Sequence, residues 1–189
     1  METVQAIKDK NVVKKVISFT EKNYSEVVID VIKVGFNLPL RISDILGLKV
    51  DDVDLQRNTV KFKASKTGKS DTFQMTDTLQ KLLKKRVDVA KRKGHTFLFT
   101  SDSNRSGGAD KPISRQQIAK VLQEVSLIVG VHIGTHSFRK TWGYNYYNLT
   151  GDIAMVQRIL QHRSSSETLR YIGIEQDDIN NALKLVEIY

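Results

Sequence analysis

The stretch from Val27 to Leu40 is the longest apolar patch in this chain, broken by Asp30, Lys33, Asn37 and Pro39. It is too short and too interrupted to span a bilayer. Its first part, Val27 to Phe36, is largely apolar all round and reads as a buried helix that other elements must cover. Ahead of it, Val12, Val13, Val16 and Ile17 recur at helical spacing. Behind it, Pro39 ends or interrupts the helix. Ile42, Ile45 and Leu46 then start a short new one with Arg41 at its beginning.

Two segments alternate with strand period, Thr59 to Ala64 and Asp71 to Met75. Ser65-Lys66-Thr67-Gly68-Lys69-Ser70 joins them as a hairpin tip. Thr76 caps a helix striped by Leu79, Leu82, Leu83, Val87 and Ala90 and stopped at Gly94. Thr96 to Thr100 reads as a short strand and Ser103 to Lys111 as a polar loop. Ser114 and Gln117 form a capping-box pattern ahead of Ile118, Val121, Leu122 and Val125. The His136 segment opens a helix running to about Leu149, Asp152 caps the next to about Leu160, and Ser166 caps a third that carries Tyr171. Glu175 to Tyr189 is a last amphipathic helix through Ile179, Ala182, Leu183 and Val186. The predicted class is mainly α with a small antiparallel β-sheet, in one domain over 1–189.

The chain has 30 Lys and Arg against 21 Asp and Glu, a net charge of +9, which favours an anionic partner. No basic amphipathic helix stands apart, so nucleic acid is favoured over a membrane surface. With no cysteine there is no disulfide framework, thiolate metal site or Cys nucleophile. The N-terminus lacks the apolar core of a signal peptide, and the expected location is the cytoplasm. Four histidines show neither HExxH nor a matching carboxylate cluster, so no metal site and no cofactor are expected. His95 and His132 read as structural. Gly68-Lys69-Ser70 is not a P-loop, because Lys63 stands where that motif needs glycine.

What remains is an ordered set of residues suited to phosphodiester chemistry. Arginines grip phosphate, histidines hydrogen-bond or move protons, and a phenol can act as nucleophile. Arg41 sits in an apolar setting and needs a partner, which Asp44 supplies one turn on. His136 and Arg139 share a helical face near a positive helix end. Taken alone, they read better as surface neighbours. Lys66 at a hairpin tip has reach for donating a proton into a DNA groove, although most such lysines are merely solvated. His162 and Tyr171 lie nine apart across Ser164-Ser165-Ser166, so a helix end, a turn and a new helix bring them within reach of one phosphate. Tyr171 also fits an amphipathic anchor, and Tyr144, Tyr146 and Tyr147 are rival phenols spaced for packing. Trp142 and Tyr146, one turn apart, are expected to pack in the core.

These residues together resemble the catalytic domain of a tyrosine recombinase of the phage integrase family. The resemblance runs from Leu38-Pro39-Leu40-Arg41-Ile42-Ser43-Asp44, through Lys66, to Thr135-His136-Ser137-Phe138-Arg139-Lys140-Thr141, Leu160-Gln161-His162 and Tyr171. It implies the integrase catalytic-domain fold and site-specific strand exchange on double-stranded DNA, for integration, excision or inversion of a mobile element. Tyr171 is the implied nucleophile, giving a 3′-phosphotyrosyl link. Arg41 and Arg139 clamp the non-bridging oxygens and His162 hydrogen-bonds them. His136 takes the tyrosine proton, Lys66 protonates the leaving 5′-oxygen, and Asp44 supports Arg41. No metal or cofactor is implied, and assembly with further protomers on DNA is.

Three positions depart from the family pattern: Asp44 replaces a usual Glu, Gln161 a usual Gly, and Pro39 a usual small residue. The family's N-terminal core-binding domain is not expected within this chain, which is either trimmed or naturally minimal; if minimal, weaker and more salt-sensitive DNA binding than that of a two-domain clamp is expected. The terminal helix can dock on a neighbouring protomer or in cis, and a monomer is expected off DNA. Two rival readings are a non-cutting DNA-binding regulator derived from an integrase and a type IB topoisomerase-like enzyme.

Overall fold

Helix α2, Glu26–Asn37, is the centre of the molecule: Val27, Val28, Val31, Ile32, Val34 and Gly35 are all buried. The computed structural model describes residues 4–65, 68–101 and 109–174, with Asp178, Lys184 and Leu185. Around α2 pack α1 (Lys10–Asn23), α3 (Ile42–Leu46), α4 (Asp77–Lys93) and α6 (Ser137–Thr150). Helix α5 (Arg115–Val129) covers α1 and α3, and α7 (Ile153–Leu160) and α8 (Ser165–Ile172) close the C-terminal side. Asp30, the acidic break in the apolar run, is as buried as its neighbours. Lys85 reaches it at 2.7 Å and the buried Arg86 at 3.7 Å, both from α4. Burial pushes the Asp30 carboxyl up and Lys85 pulls it back, so the ion pair is what makes the position tolerable.

The sheet is a three-stranded antiparallel meander of β1 (Val53–Asp54), β2 (Thr59–Lys63) and β3 (Ser70–Gln74). Val60 faces Phe73 and Lys63 faces Ser70, so Ser70, expected in the hairpin tip, belongs to β3. Val60 and Phe62 point into the core while Lys61 and Lys63 face solvent, which is why the alternation was visible. The two-residue β1 was not read. Thr96 to Thr100 is not a strand, contrary to expectation. It makes only single bridges, Phe97 to Lys49 and Thr100 to Pro112, because Asp110 takes the Thr96 and Phe97 amides.

The caps follow the sequence closely. Thr76, Ser114 and Asp152 each accept a backbone amide, from Leu79, Gln117 and Met155, and Gly94 closes α4 with φ of +67°. For α8 the cap is Ser164, not Ser166: its hydroxyl accepts from Glu167 N, and the helix starts at Ser165. Of three consecutive serines, only Ser164 has an acid three residues on, and that acid folds back to accept from Arg163 N at 2.9 Å. Most of the expected 103–111 loop lies outside the described residues. So does the Glu175–Tyr189 helix, apart from Asp178, Lys184 and Leu185.

Among the described residues there are two apolar clusters. The large one gathers α1 to α5, the sheet and Phe138 of α6. The small one is Val156, Leu160 and Ile172, with Tyr144, Tyr146, Tyr147 and Tyr171 packed on it. Helix α6 joins them, with Phe138 pressed on Gly35 and Gly143 on Ile172, Leu160 and Val156. Tyr146 packs on the small cluster, but Trp142 joins neither cluster, contrary to expectation. They stack at 5.3 Å but stay half-buried, facing a shallow apolar groove beside Phe36 and the exposed Leu149.

Candidate active site

A cavity of about 710 Å³ opens at the seam between the two clusters, lined by Arg41, His136, Arg139, His162 and Tyr171 with Gln161, Arg163 and Glu167. Five of the expected site residues therefore meet in one place, although they come from four parts of the chain. Arg41 precedes α3, where Pro39 has already turned the backbone out of α2. His136 and Arg139 sit at the start of α6, His162 in the turn after α7, and Tyr171 in the last turn of α8.

Each arginine is held from behind. Arg41 lies 3.9 Å from the buried Asp44 carboxylate, whose other oxygen accepts from Ser65 N at 2.9 Å. One carboxylate thus ties the arginine to the β2–β3 hairpin, next to Lys66. Lys66 itself lies outside the described residues, so its expected place in the site rests on its neighbours. Arg139 is buried and donates to the carbonyls of Pro39 (3.0 Å) and Leu160. It therefore pins the start of α3 to the end of α7. Burial draws the Arg139 guanidinium down to about 10, with Arg41 adding repulsion and Tyr171 and Asp44 partly offsetting it. It stays cationic at neutral pH.

The histidines are tuned toward neutrality. Burial lowers His136, and the cations of Arg115, Arg139, Lys140 and Arg41 lower it further. His162 is lowered by burial and by Arg139 and Arg41, against a raising effect of Glu167. Its Nδ1 lies 3.2 Å from the Thr168 hydroxyl, which itself donates to Ser164 O at 2.8 Å. The His162 ring meets the Tyr171 ring edge-on at 4.7 Å. Burial raises the Tyr171 phenol, and Arg139 and Arg41 pull it back. A neutral imidazole, two cations and a phenol around one void can bind a phosphodiester and activate an oxygen nucleophile against it.

Gln161 takes the left-handed conformation at φ 54°, ψ 41°, which glycine adopts more readily, and this turn directs His162 toward the cavity. Gln161 and His162 also line a second opening of about 520 Å³, with Lys69, Ala154, Gln157 and Arg158. The two openings form a continuous basic trough. Arg163 and Glu167 were not picked out by sequence reasoning. The Ser164-to-Glu167 capping spacing was the signal that could have placed Glu167. The rival phenols Tyr144, Tyr146 and Tyr147 pack on the small cluster, away from the lining of the main cavity. His95 hydrogen-bonds Thr100 and lies outside that lining as well. Among the described residues there is no group of His, Asp and Glu suited to hold a metal ion, and no helix is long and apolar enough to cross a membrane.

Comparison with known proteins agrees with this arrangement. The chain is 42% identical over 153 residues to the probable integrase/recombinase YoeC of Bacillus subtilis, covering 80% of each. It is 23% identical to the tyrosine recombinase XerA of Pyrococcus horikoshii, over 93% of this chain and 60% of that one. Among solved structures, a XerA recombinase superposes with a TM-score of 0.76 at 20% identity, over 100% of this chain and 68% of the other. The XerH recombinase on palindromic difH substrate, a post-cleavage complex, gives 0.73 at 17%, over 96% and 53%. The chain thus spans about half to two thirds of its Xer neighbours. The family model described as the phage integrase family matches residues 8–177, a span that contains the small apolar cluster, all of the large one but Ile7, and the residues lining the cavity between them. By that match, and by its identity to YoeC, the chain belongs to the phage integrase family.

Proposed function

We propose that this chain is the catalytic domain of a site-specific DNA recombinase that breaks and rejoins strands through a covalent tyrosine intermediate. The observation that carries the reading is the convergence of Arg41, His136, Arg139, His162 and Tyr171 on one cavity. Tyr171 attacks the scissile phosphorus, the bond to the 5′-oxygen breaks, and a 3′-phosphotyrosyl link and a free 5′-hydroxyl result. The phenol proton goes to His136, which burial and its cationic neighbours keep neutral enough to accept it. Arg41 and Arg139 neutralise the non-bridging oxygens as charge builds on them, and His162 adds a hydrogen bond. Lys66 supplies the proton to the leaving 5′-oxygen, and Asp44 holds Arg41 in place. Attack by a second 5′-hydroxyl reverses these steps, so the phosphodiester energy is conserved without a nucleotide cofactor.

Integration, excision or inversion of a mobile element is the corresponding role, on double-stranded DNA and with further protomers assembled there. The location that goes with this role is the cytoplasm, in association with the nucleoid. The family membership and the XerH neighbour's capture on its DNA substrate support this reading. Incubation with nicked duplexes from the DNA flanking its gene, followed by denaturing electrophoresis, tests it. A protein–DNA adduct that disappears in Tyr171→Phe is the expected result. Salt-sensitive binding without any adduct would instead favour a regulator that does not cut.

A further inference from the structure

Lys140 follows Arg139 in α6, yet its side chain takes a different direction and lies outside the cavity lining. The residue is only 7% exposed, and among the described residues no carboxylate pairs with it. The contact it does make is with the nucleophile: its ammonium sits over the Tyr171 ring, 5.1 Å from the centroid. A buried ammonium without a counter-ion is costly, and an apolar side chain of the same length would fill the same space without that cost. A neutral phenol ring offsets little of it, because cation–π attraction to the ring face is modest. A phenolate offsets far more, since its negative charge spreads into the ring beneath the ammonium.

We infer that Lys140 is a further residue of the strand-cutting machinery, one that favours the ionised form of the Tyr171 phenol through the ring face. The inference rests on the reading of Tyr171 as the nucleophile. The charged and titratable groups around Tyr171 come from each element near it: Arg41 ahead of α3, His136 at the start of α6, Arg139 and Lys140 on α6, and His162 from the α7–α8 turn. Of these, Arg41, His136, Arg139 and His162 also border the space a phosphate would fill. A bound phosphodiester screens the two arginines from the phenol. Lys140, on the ring face and out of that space, keeps acting on the phenol when the substrate is bound. Burial lowers its own proton affinity, as a cation held in an apolar setting requires, and no base is asked of it. The phenol proton still passes to His136.

The test compares wild type, Lys140→Met and Lys140→Arg on the nicked duplexes, with Tyr171→Phe as the control for the nucleophile. Removing a buried unpaired charge should leave the melting temperature of Lys140→Met unchanged or higher. Adduct formation at pH 7 should fall about tenfold, and its rate should keep rising to higher pH than in wild type. Lys140→Arg, which keeps a cation over the ring, should recover most of the rate. In the free protein, the Tyr171 carbon resonance, assigned by its loss in Tyr171→Phe, should titrate about one pH unit higher in Lys140→Met. An unchanged titration overturns the inference even if no adduct forms with wild type, which would count against the nucleophile reading instead. A loss confined to DNA affinity, with the pH profile intact, would make Lys140 a phosphate contact and equally overturn it.

Discussion

Thr168 has one hydroxyl proton, and it goes to the Ser164 carbonyl at 2.8 Å. Its oxygen therefore receives the Nδ1 proton of His162, 3.2 Å away, and the neutral ring is left with an unprotonated Nε2. To donate to a phosphate oxygen through that nitrogen, His162 must gain a proton when the substrate binds. In the free protein both His136 and His162 lie below the ordinary 6.5, so both are neutral at pH 7. The sign follows: below pH 6.5 the unfolded chain protonates first, so the stability these two groups contribute is full above 6.5 and lost as pH falls through their folded values. An anion in the cavity opposes the lowering. Nitrogen-15 imidazole titrations should place both rings below 6.5 in the free protein and move His162 upward when vanadate or phosphate is added. A His162 that titrates at or above 6.5 before any anion is present would end this account. The five residues of the cavity were legible in the sequence because their types are rare enough, and ordered enough, to be read as a set. Lys140 and Thr168 were not. One lysine among 30 basic side chains looks like any other, and the part Thr168 plays depends on where the Gln161 turn sends His162.

Gly143 shows what the elements must do to bring the nucleophile in. A Cβ there would stand 2.8 Å from Ile172 Cγ2, 3.3 Å from Leu160 and 3.4 Å from Val156, so α6 and α8 meet at a distance only glycine permits. Tyr171 precedes Ile172 on α8, and the spacing of these two helices sets where the phenol sits over α6. Gly143→Ala should cost about 1–3 kcal/mol as overpacking, read as a lower melting temperature. It should also slow adduct formation beyond that cost while leaving DNA affinity nearly unchanged, because the arginines that hold the phosphate lie elsewhere. Equal losses in binding and cutting would mean that the small cluster supports the whole trough rather than the nucleophile. At this scale the sequence announced helices well, because stripes such as Leu79, Leu83, Val87 and Ala90 and caps such as Thr76 and Asp152 are local. It failed where partners are remote. Thr96 to Thr100 has strand-like residues, but Asp110 occupies the amides of Thr96 and Phe97. β1 is two residues whose only claim to be a strand is its pairing with β2.

Among the described residues there are two unequal cores with a basic trough along their seam, and on the proposed reading that geometry bounds how the chain holds DNA. Among the described residues the two openings present Arg41, Arg139 and Arg163 in one and Lys69 and Arg158 in the other, on one continuous surface. Each phosphate neutralised lowers the slope of log affinity against log salt by about 0.9. If each of these cations meets one phosphate, the slope for duplex DNA is about −4 to −5, before Lys66 and the rest of the net charge of +9 are counted. Binding titrations of the 189-residue chain on its own flanking DNA, from 50 to 200 mM salt, about the range over which such contacts are usually compared, should return a slope near that value. Lys69→Glu with Arg158→Glu should reduce it by about two contacts, while adduct formation at saturating DNA stays near the wild-type rate, because neither residue borders the cavity that holds Tyr171. A slope as steep as that of a two-domain relative would mean that the chain grips DNA over a surface well beyond this trough. An unchanged slope in the double variant would mean that the second opening does not lie along the DNA at all.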